Sequence, residues 1–123
     1  MNQTDFSSLV NRVQRSTSDL LVSKGAEYAS DTDRLANFKK GAKLTGCTPL
    51  QVAFVYLSKH YDALANYIKR DATGQQIPLS EPITGRLEDL INYCFLTYAL
   101  IDESKLNQKT SRMSDLAKLL GEE

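Results

Sequence analysis

The stretch that decides how this chain folds is Ser80-Glu-Pro-Ile-Thr-Gly-Arg-Leu-Glu-Asp-Leu-Ile-Asn-Tyr93, which begins a predicted helix. Its first turns carry the polar side chains of Arg86, Glu88, Asp89 and Asn92, whereas the residues that follow are almost all apolar. Burying a charge is costly unless the charge is paired, hydrogen-bonded or used to hold a ligand. Polar groups confined to one end of an apolar helix therefore predict a pocket at that end.

Helical spacing divides this segment into two faces. Arg86, Asp89 and Tyr93 follow an i, i+3, i+7 pattern and share one stripe, with Asn92 beside it. The opposite face is predicted to point into the core; its members are Leu87, Leu90, Ile91, Cys94, Tyr98 and Ile101. Residues 95–101 are apolar on all sides, which indicates enclosure by the domain itself or by a second subunit. A solvated first turn with a surface ion pair is the plainer interpretation of the charges.

The composition is typical of one soluble globular domain, which we place at residues 1–123. Lys plus Arg and Asp plus Glu number 15 each, so any recognition of phosphate must be local. The N-terminal residues do not resemble a signal peptide, and no apolar run is long enough to cross a bilayer, which predicts a cytoplasmic protein. Cys47 and Cys94 are predicted to be reduced thiols, and the lone histidine speaks against a structural zinc site.

Periodicity predicts an all-α bundle of four to five helices. The first helix covers residues 5–28, and Asp31 or Thr32 is expected to cap a short second helix. Thr48, Pro49 and Gln51 are the N-cap, the first helical position and the capping-box partner of a long helix that ends near residue 69. A loop covers residues 70–79, and the next helix ends near residue 102. We expect a core at residues 5–103, an irregular segment at residues 104–110 and a short terminal helix at residues 111–120.

The long helix carries more apolar residues than one face can hold. The predicted core face consists of Leu50, Ala53, Phe54, Leu57, Tyr61, Leu64, Ala65 and Ile68. Val52, Val55 and Tyr56 lie off that face. Since exposing them is unusual for a monomer, they predict self-association into a homo-oligomer.

Two further polar clusters are expected to join the pocket. Lys59, His60 and Asp62 lie on the long helix, and Lys24, Glu27 and Tyr28 end the first helix, followed by Asp31, Asp33, Asn37 and Lys39. Carboxylates from several helices of a bundle can hold Mg²⁺, whereas lysine and arginine hold phosphate oxygens. The plainer alternatives are that the aspartates are helix caps, that the lysines are solvated, and that the tyrosines belong to the core.

Three stretches together resemble a known family. They are Lys24-Gly-Ala-Glu-Tyr-Ala-Ser-Asp-Thr-Asp-Arg-Leu-Ala-Asn-Phe-Lys39, Lys59-His60, and residues 80–93. Over residues 20–103 the chain resembles small phage-encoded all-helical proteins of the MazG-like or nucleotide-modification-associated kind. The resemblance implies a helical, usually oligomeric fold and a relationship to Mg²⁺-dependent enzymes that split nucleoside triphosphates into monophosphate and pyrophosphate.

The sequence departs from the carboxylate pairs that such enzymes use. Their Glu-x-x-Glu and Glu-x-x-Asp pairs would correspond here to Lys59 with Asp62 and to Asp89 with Asn92. A lysine and an amide thus replace two anionic ligands, which weakens a Mg²⁺ site and suits direct contact with phosphate. Glu27, Asp33 and Glu88 remain as possible substitutes.

The first functional hypothesis is a binding protein that captures a nucleotide or nucleotide-derived signal without turnover and without a cofactor. In the context of the resemblance, this is a phage counter-defence sponge in the cytoplasm of an infected bacterium. Its predicted ligand-binding residues are Lys24, Tyr28, Lys59, His60, Arg86, Asp89, Asn92 and Tyr93; no direct nucleic-acid or membrane contact is expected.

The second hypothesis is a Mg²⁺-dependent nucleoside triphosphate pyrophosphohydrolase, with Glu27, Asp62, Glu88 and Asp89 as metal ligands. A third class, a protein that binds only other proteins through its apolar helices, leaves the charged helix start unexplained.

Overall fold

The computed structural model describes residues 1–28, 32–76 and 78–121, and within them the regular structure is entirely helical. Four helices follow one another: α1 (Gln3–Tyr28), α2 (Ala36–Thr45), α3 (Pro49–Ala72) and α4 (Ile83–Leu119). The all-α prediction is confirmed. A separate fifth helix is not, because α4 continues without interruption through residues 104–110 and 111–119.

Local sequence explains where the helices begin and end. Asn2 accepts the backbone N–H of Asp5 at 2.8 Å and caps the start of α1. The capping box of α3 is present, with the Thr48 and Gln51 side chains each bonded to the other's backbone N–H. α2 ends at Gly46, whose φ of 72° gives a left-handed C-cap that other residues adopt at a cost.

The predicted cap of α2 is wrong for Thr32. The helix begins at Ala36, its N-cap position is Leu35, and no side chain bonds there. The Asp33 carboxylate instead accepts the Leu35 N–H at 3.0 Å, which orders the turn before the helix. Asp31 lies outside the described residues.

Helices α3 and α4 form an antiparallel pair, because residues late in α3 contact residues early in α4. His60 approaches Asp89, and Tyr56, one helical turn before His60, stacks on Tyr93, one helical turn after Asp89. α2 packs against α3, where the absence of a side chain at Gly41 makes room; a Cβ there would lie 3.1 Å from a Val52 methyl carbon. α1 also packs against α4 and contacts it through Ser16 and Glu88.

The core is small. Among the described residues, the buried hydrophobic cluster consists of Leu35, Phe38, Ala53 and Leu100, joined by the partly buried Val52, Tyr93, Leu96 and Ala99. No helix in the described ranges is both long enough and apolar enough to cross a membrane.

The predicted core face of α3 is wrong in most of its members. Ala53 is buried and Leu57 and Leu64 are half-buried, but five other members are exposed: Leu50, Phe54, Tyr61, Ala65 and Ile68. Val52 and Tyr56, expected to lie off the core, contact α2 and α4 instead. The cause is the position of α2, which covers the side of α3 next to the predicted face. Val55, the third residue expected off the core, is exposed and makes no such contact with α2 or α4.

The same reversal occurs in α4. Leu87, Ile91, Cys94, Tyr98 and Ile101 were expected in the core and are exposed, and Leu90 is half-buried. The buried side of α4 carries Asn92, Leu96 and Leu100 together with the polar stripe. Thus α4 turns its polar stripe inward and leaves an apolar stripe outside.

Candidate ligand-binding site

A cavity of about 500 Å³ opens where α1, α2, α3 and α4 meet. All eight residues predicted to bind a ligand line it, although they come from three different helices: Lys24, Tyr28, Lys59, His60, Arg86, Asp89, Asn92 and Tyr93. Its volume lies within the range of small-molecule sites. The polar stripe of α4 therefore faces a cavity, as the sequence predicted.

One wall of the cavity is a row of four rings. Phe38 meets Tyr56 edge-to-face, Tyr56 stacks on Tyr93 with centroids 6.1 Å apart, and Tyr93 stacks on His60 at 5.4 Å. Burial, with a smaller contribution from Asp89, raises the pKa of the Tyr93 hydroxyl. The row offers an aromatic surface with polar atoms at its edge, the kind of surface on which a base or another planar ring can stack.

His60 occupies the centre of the polar part of the cavity. Its Nδ1 atom lies 3.3 Å from Nη1 of Arg86 and 3.5 Å from the Asp89 carboxylate. A hydrogen bond from the Arg86 guanidinium requires an unprotonated Nδ1, whereas one to the Asp89 carboxylate requires a protonated Nδ1. Burial lowers the pKa of His60, and Arg86 and Lys59 act in the same direction against the opposing effect of Asp89. The lowered pKa favours the neutral imidazole, which lies against Arg86 at the cavity wall.

Positive charge dominates the cavity. Lys24, Arg34, Lys59 and Arg86 line it with the two carboxylates of Glu81 and Asp89, which gives a net charge of +2 with His60 neutral. The whole chain, by contrast, has no net charge. This local excess is what recognition of an anion requires.

Arg34 reaches the cavity through a close approach to α1. Its guanidinium donates to the Leu21 carbonyl at 3.3 Å, and its Nε atom would lie 2.7 Å from a Cβ placed on Gly25. Glycine at position 25 thus makes room for the arginine. At the same end of the site, the Lys24 ammonium lies 5.3 Å from the centre of the Tyr28 ring, a cation–π contact.

Asn92 lines the cavity and contains a buried, unpaired acceptor. The residue is 94% buried, and its Oδ1 atom has no hydrogen-bond partner among the described residues. An unpaired buried amide oxygen is unusual, because leaving it unpaired costs about 1–3 kcal/mol. The Oδ1 atom is itself shielded from solvent, so a donor on a ligand in the cavity would pair with it only after the side chain turns toward the cavity.

The four carboxylates predicted as metal ligands do not converge. Only Asp89 lines the cavity. Glu27 and Asp62 are exposed, and Glu88 points toward α1, where it accepts a hydrogen bond from Ser16 at 3.0 Å. Over the part of the chain that is described, no three His, Cys, Asp or Glu side chains are arranged to hold a metal ion.

Other members of the polar cluster after α1 separate from one another. Asn37 lines the cavity, whereas Lys39 bridges Asp33, at 2.7 Å, and Glu103 of α4. The hydrogen bond from Lys39 lowers the pKa of Asp33. The hydrogen bonds to Asp33 and Glu103 raise the pKa of Lys39. These charged side chains connect α2 to α4 and do not line the cavity.

Eight of the sixteen described lining residues were not among the predicted ligand-binding residues, and Arg34, Tyr56 and Glu81 are three of them. Arg34 belongs to no helical stripe, so periodicity gives no signal for it; the only local hint is the small Gly25 that it packs against. Tyr56 was assigned to the outer surface because the position of α2 was unknown. A second, larger groove of about 830 Å³ lies between the start of α3 and the middle of α4, away from the clustered charges.

No protein-family model matches the chain, and comparisons with curated proteins and with solved structures gave no significant match. The MazG-like resemblance therefore stays a prediction made from the sequence.

Proposed function

We propose that this protein binds a nucleotide, or a signal molecule built from nucleotides, in the cavity between its four helices and holds it without turnover. The observation that carries the proposal is the lining of the cavity, which combines cations, a row of stacked rings and an unpaired buried amide. A nucleotide has an anionic phosphate, a planar base and hydrogen-bond donors on base and sugar, and so complements all three.

The phosphate would lie among Lys24, Arg34, Lys59 and Arg86. Arg86 lies 3.3 Å from His60 and 3.5 Å from Glu81, and these contacts would reduce the side-chain freedom that it loses on binding a phosphate. Lysine and arginine contact phosphate oxygens directly and need no metal ion between them.

The base would stack on the Tyr56–Tyr93 wall, and Asn92 would accept a hydrogen bond from its amino group or from a sugar hydroxyl. Stacking on a tyrosine contributes about 1–3 kcal/mol per base. A ligand that leaves the Asn92 amide unpaired would bind with lower affinity. Asn92 is therefore the residue expected to set specificity.

Binding rather than hydrolysis is favoured by the positions of the carboxylates. A pyrophosphohydrolase needs several oxygen ligands around Mg²⁺. Of the four predicted carboxylates only Asp89 lines the cavity, whereas Glu27 and Asp62 are exposed and Glu88 accepts a hydrogen bond from Ser16. Sequestration of a host signal by a phage protein, as the resemblance implied, is the biological role that fits a binder of this kind.

The test is to incubate the purified protein with mono-, di-, tri- and cyclic nucleotides, with and without Mg²⁺, and to remove free ligand by filtration. Heat denaturation then releases the retained ligand for chromatography. Recovery of an intact nucleotide in the absence of Mg²⁺ is the expected result. Appearance of monophosphate and pyrophosphate only with Mg²⁺ would reject the binding proposal in favour of the pyrophosphohydrolase hypothesis.

A pair of lysine variants provides the control. Lys59→Met removes a cation from the cavity, whereas Lys43→Met removes an exposed cation of α2 that does not line it. We expect retention to fall by about tenfold or more in the first variant and to stay unchanged in the second. Equal retention in both would place the ligand elsewhere.

A further inference from the structure

The isolated chain exposes far more surface than a compact monomer. Its accessible surface is 9693 Å² for a mass of 13.7 kDa. A compact monomer of that mass is expected to expose about 6,600 Å², so the excess is about 3,100 Å². Obligate homodimers bury roughly 2,000–5,000 Å² counted over both partners, and covering about half of this excess on each chain would reach that range.

Many of the exposed large apolar side chains lie on α4. The 37 residues of this helix span about 55 Å, and the part beyond residue 104 extends past the buried core. Large apolar side chains recur along one side of the helix and at its C-cap. We call them the α4 stripe: Ile91, Phe95, Tyr98, Leu106, Met113, Leu116 and the C-cap residue Leu120. Phe95 and Tyr98 are 59% and 69% exposed, and Met113 and Leu120 are 63% and 67% exposed.

Apart from Leu106, the positions of the α4 stripe are symmetric about one midpoint. Positions 91, 95, 98 and 102 lie as far before the midpoint between Lys105 and Leu106 as positions 120, 116, 113 and 109 lie after it. Two copies of α4 packed antiparallel about this midpoint place Ile91 opposite Leu120, and Tyr98 opposite Met113, of the other copy. Steps of three and four residues are those of packed helices.

The charged residues of α4 also favour antiparallel packing. Asp102 and Lys109 are the two exposed charged residues that complete the stripe. In the antiparallel arrangement each Asp102 faces the Lys109 of the other copy, and by symmetry the pair forms twice. A parallel arrangement would instead place aspartate against aspartate and lysine against lysine, which is unfavourable.

We infer that the protein is a homodimer in which the α4 helices of two copies pack antiparallel along the α4 stripe, the second half of each helix covering the first half of the other. The cavity residues Asp89, Asn92 and Tyr93 lie on the buried side of α4, away from the stripe. Dimerisation and binding of the proposed ligand can therefore be tested independently.

Sedimentation of the full-length chain tests the assembly, using two variants with the same substitution on different helices. Phe95→Glu places a charge in the α4 stripe, and Phe54→Glu places it on the 67%-exposed position 54 of α3. We expect the wild type and Phe54→Glu to sediment at twice 13.7 kDa and Phe95→Glu to dissociate at least about 100-fold more readily. A monomeric wild type, or a dimer lost in Phe54→Glu and kept in Phe95→Glu, would overturn the inference.

The wild type also supplies a measurement that needs no variant. If folding and dimerisation are linked, its melting temperature rises with protein concentration over about a hundred-fold range. A melting temperature that does not change with concentration contradicts the inference even if Phe95→Glu fails to fold.

Crosslinking determines the direction of packing. In a chain without Cys47 and Cys94, the double substitution Tyr98→Cys and Met113→Cys puts thiols about 22 Å apart along one helix, too far for a short thiol-reactive linker. A link between positions 98 and 113 must therefore join two chains, and we expect it to be the main product. Links only between identical positions would show parallel packing and reject the antiparallel arrangement.

Charge exchange gives a second test of direction. Asp102→Lys and Lys109→Asp each create two like-charged contacts and are expected to weaken the dimer by about tenfold. The double exchange restores opposite charges only if the helices run antiparallel. Failure of the double exchange to recover dimerisation would count against the pairing.

Discussion

Replacing Asn92 by leucine should stabilise the free protein and weaken its binding of ligand at the same time. Asparagine and leucine have the same number of side-chain heavy atoms and the same branching, so the substitution fits the space with little rearrangement. The Asn92 Oδ1 atom is buried without a partner, and removing such an atom relieves about 1–3 kcal/mol. The free energy of unfolding of the ligand-free protein should therefore rise by an amount in that range.

The effect on binding has the opposite sign. The hydrogen bond that we propose Asn92 accepts from the ligand disappears, and the donor of the ligand is left facing a methyl group. The same 1–3 kcal/mol then corresponds to a loss of affinity of about 5- to 150-fold.

Urea denaturation measures the stability of the ligand-free protein and calorimetric titration measures the affinity. Both should be performed at one fixed protein concentration, because dimerisation makes stability depend on concentration. Thr97 provides a matched control, since its Oγ1 is also buried without a partner in the described structure but does not line the cavity. Thr97→Val should stabilise the protein and leave affinity unchanged. A destabilised Asn92→Leu protein, or one with wild-type affinity, would refute the reasoning about the unpaired amide.

Three further perturbations test the surroundings of the site. Gly25→Ala puts a Cβ 2.7 Å from Nε of Arg34 and must displace its guanidinium; we expect affinity to fall by about tenfold with helix content by circular dichroism unchanged, since alanine favours helix. Burial lowers the pKa of His60 in the free protein, and a nearby phosphate would raise it, so binding should take up protons and affinity should increase as the pH falls from about 7 to about 6. Calorimetry in two buffers of different ionisation enthalpy detects that uptake, and its absence would separate His60 from the phosphate. Lys39→Met removes the bridge to Glu103; because these groups are about one-third exposed, unfolding should become easier by only about 1 kcal/mol in urea, with affinity unchanged, and a loss of affinity would tie the bridge to the site.

Local signals in the sequence were sufficient for the helices whose ends depend on neighbouring residues. The capping box at Thr48 and Gln51 fixes the start of α3, and Gly46 fixes the end of α2. Each involves residues at most four apart, so the chain encodes it without reference to the fold. The polar residues in the segment 104–110 misled the prediction, because an exposed helix can be polar and still continue.

The site could be predicted for a related reason. A helix that carries Arg86, Asp89 and Asn92 on one stripe must present them to something other than an apolar core, and the structure brings them to a cavity with Lys24 and Lys59. Periodicity also shows which residues of a helix share a face.

Periodicity does not show which face is turned inward, and here the tertiary structure decided against the usual expectation. The positions of α1 and α2 leave Phe54 of α3 and Tyr98 of α4 in solvent and enclose the polar stripe instead. A helix with two usable faces buries whichever one its neighbours cover, and those neighbours are set by contacts between residues far apart in the chain. The sequence therefore determined the helices and the grouping of the site residues, whereas only the packing of the four helices determined that the polar face is inside and the apolar face is outside.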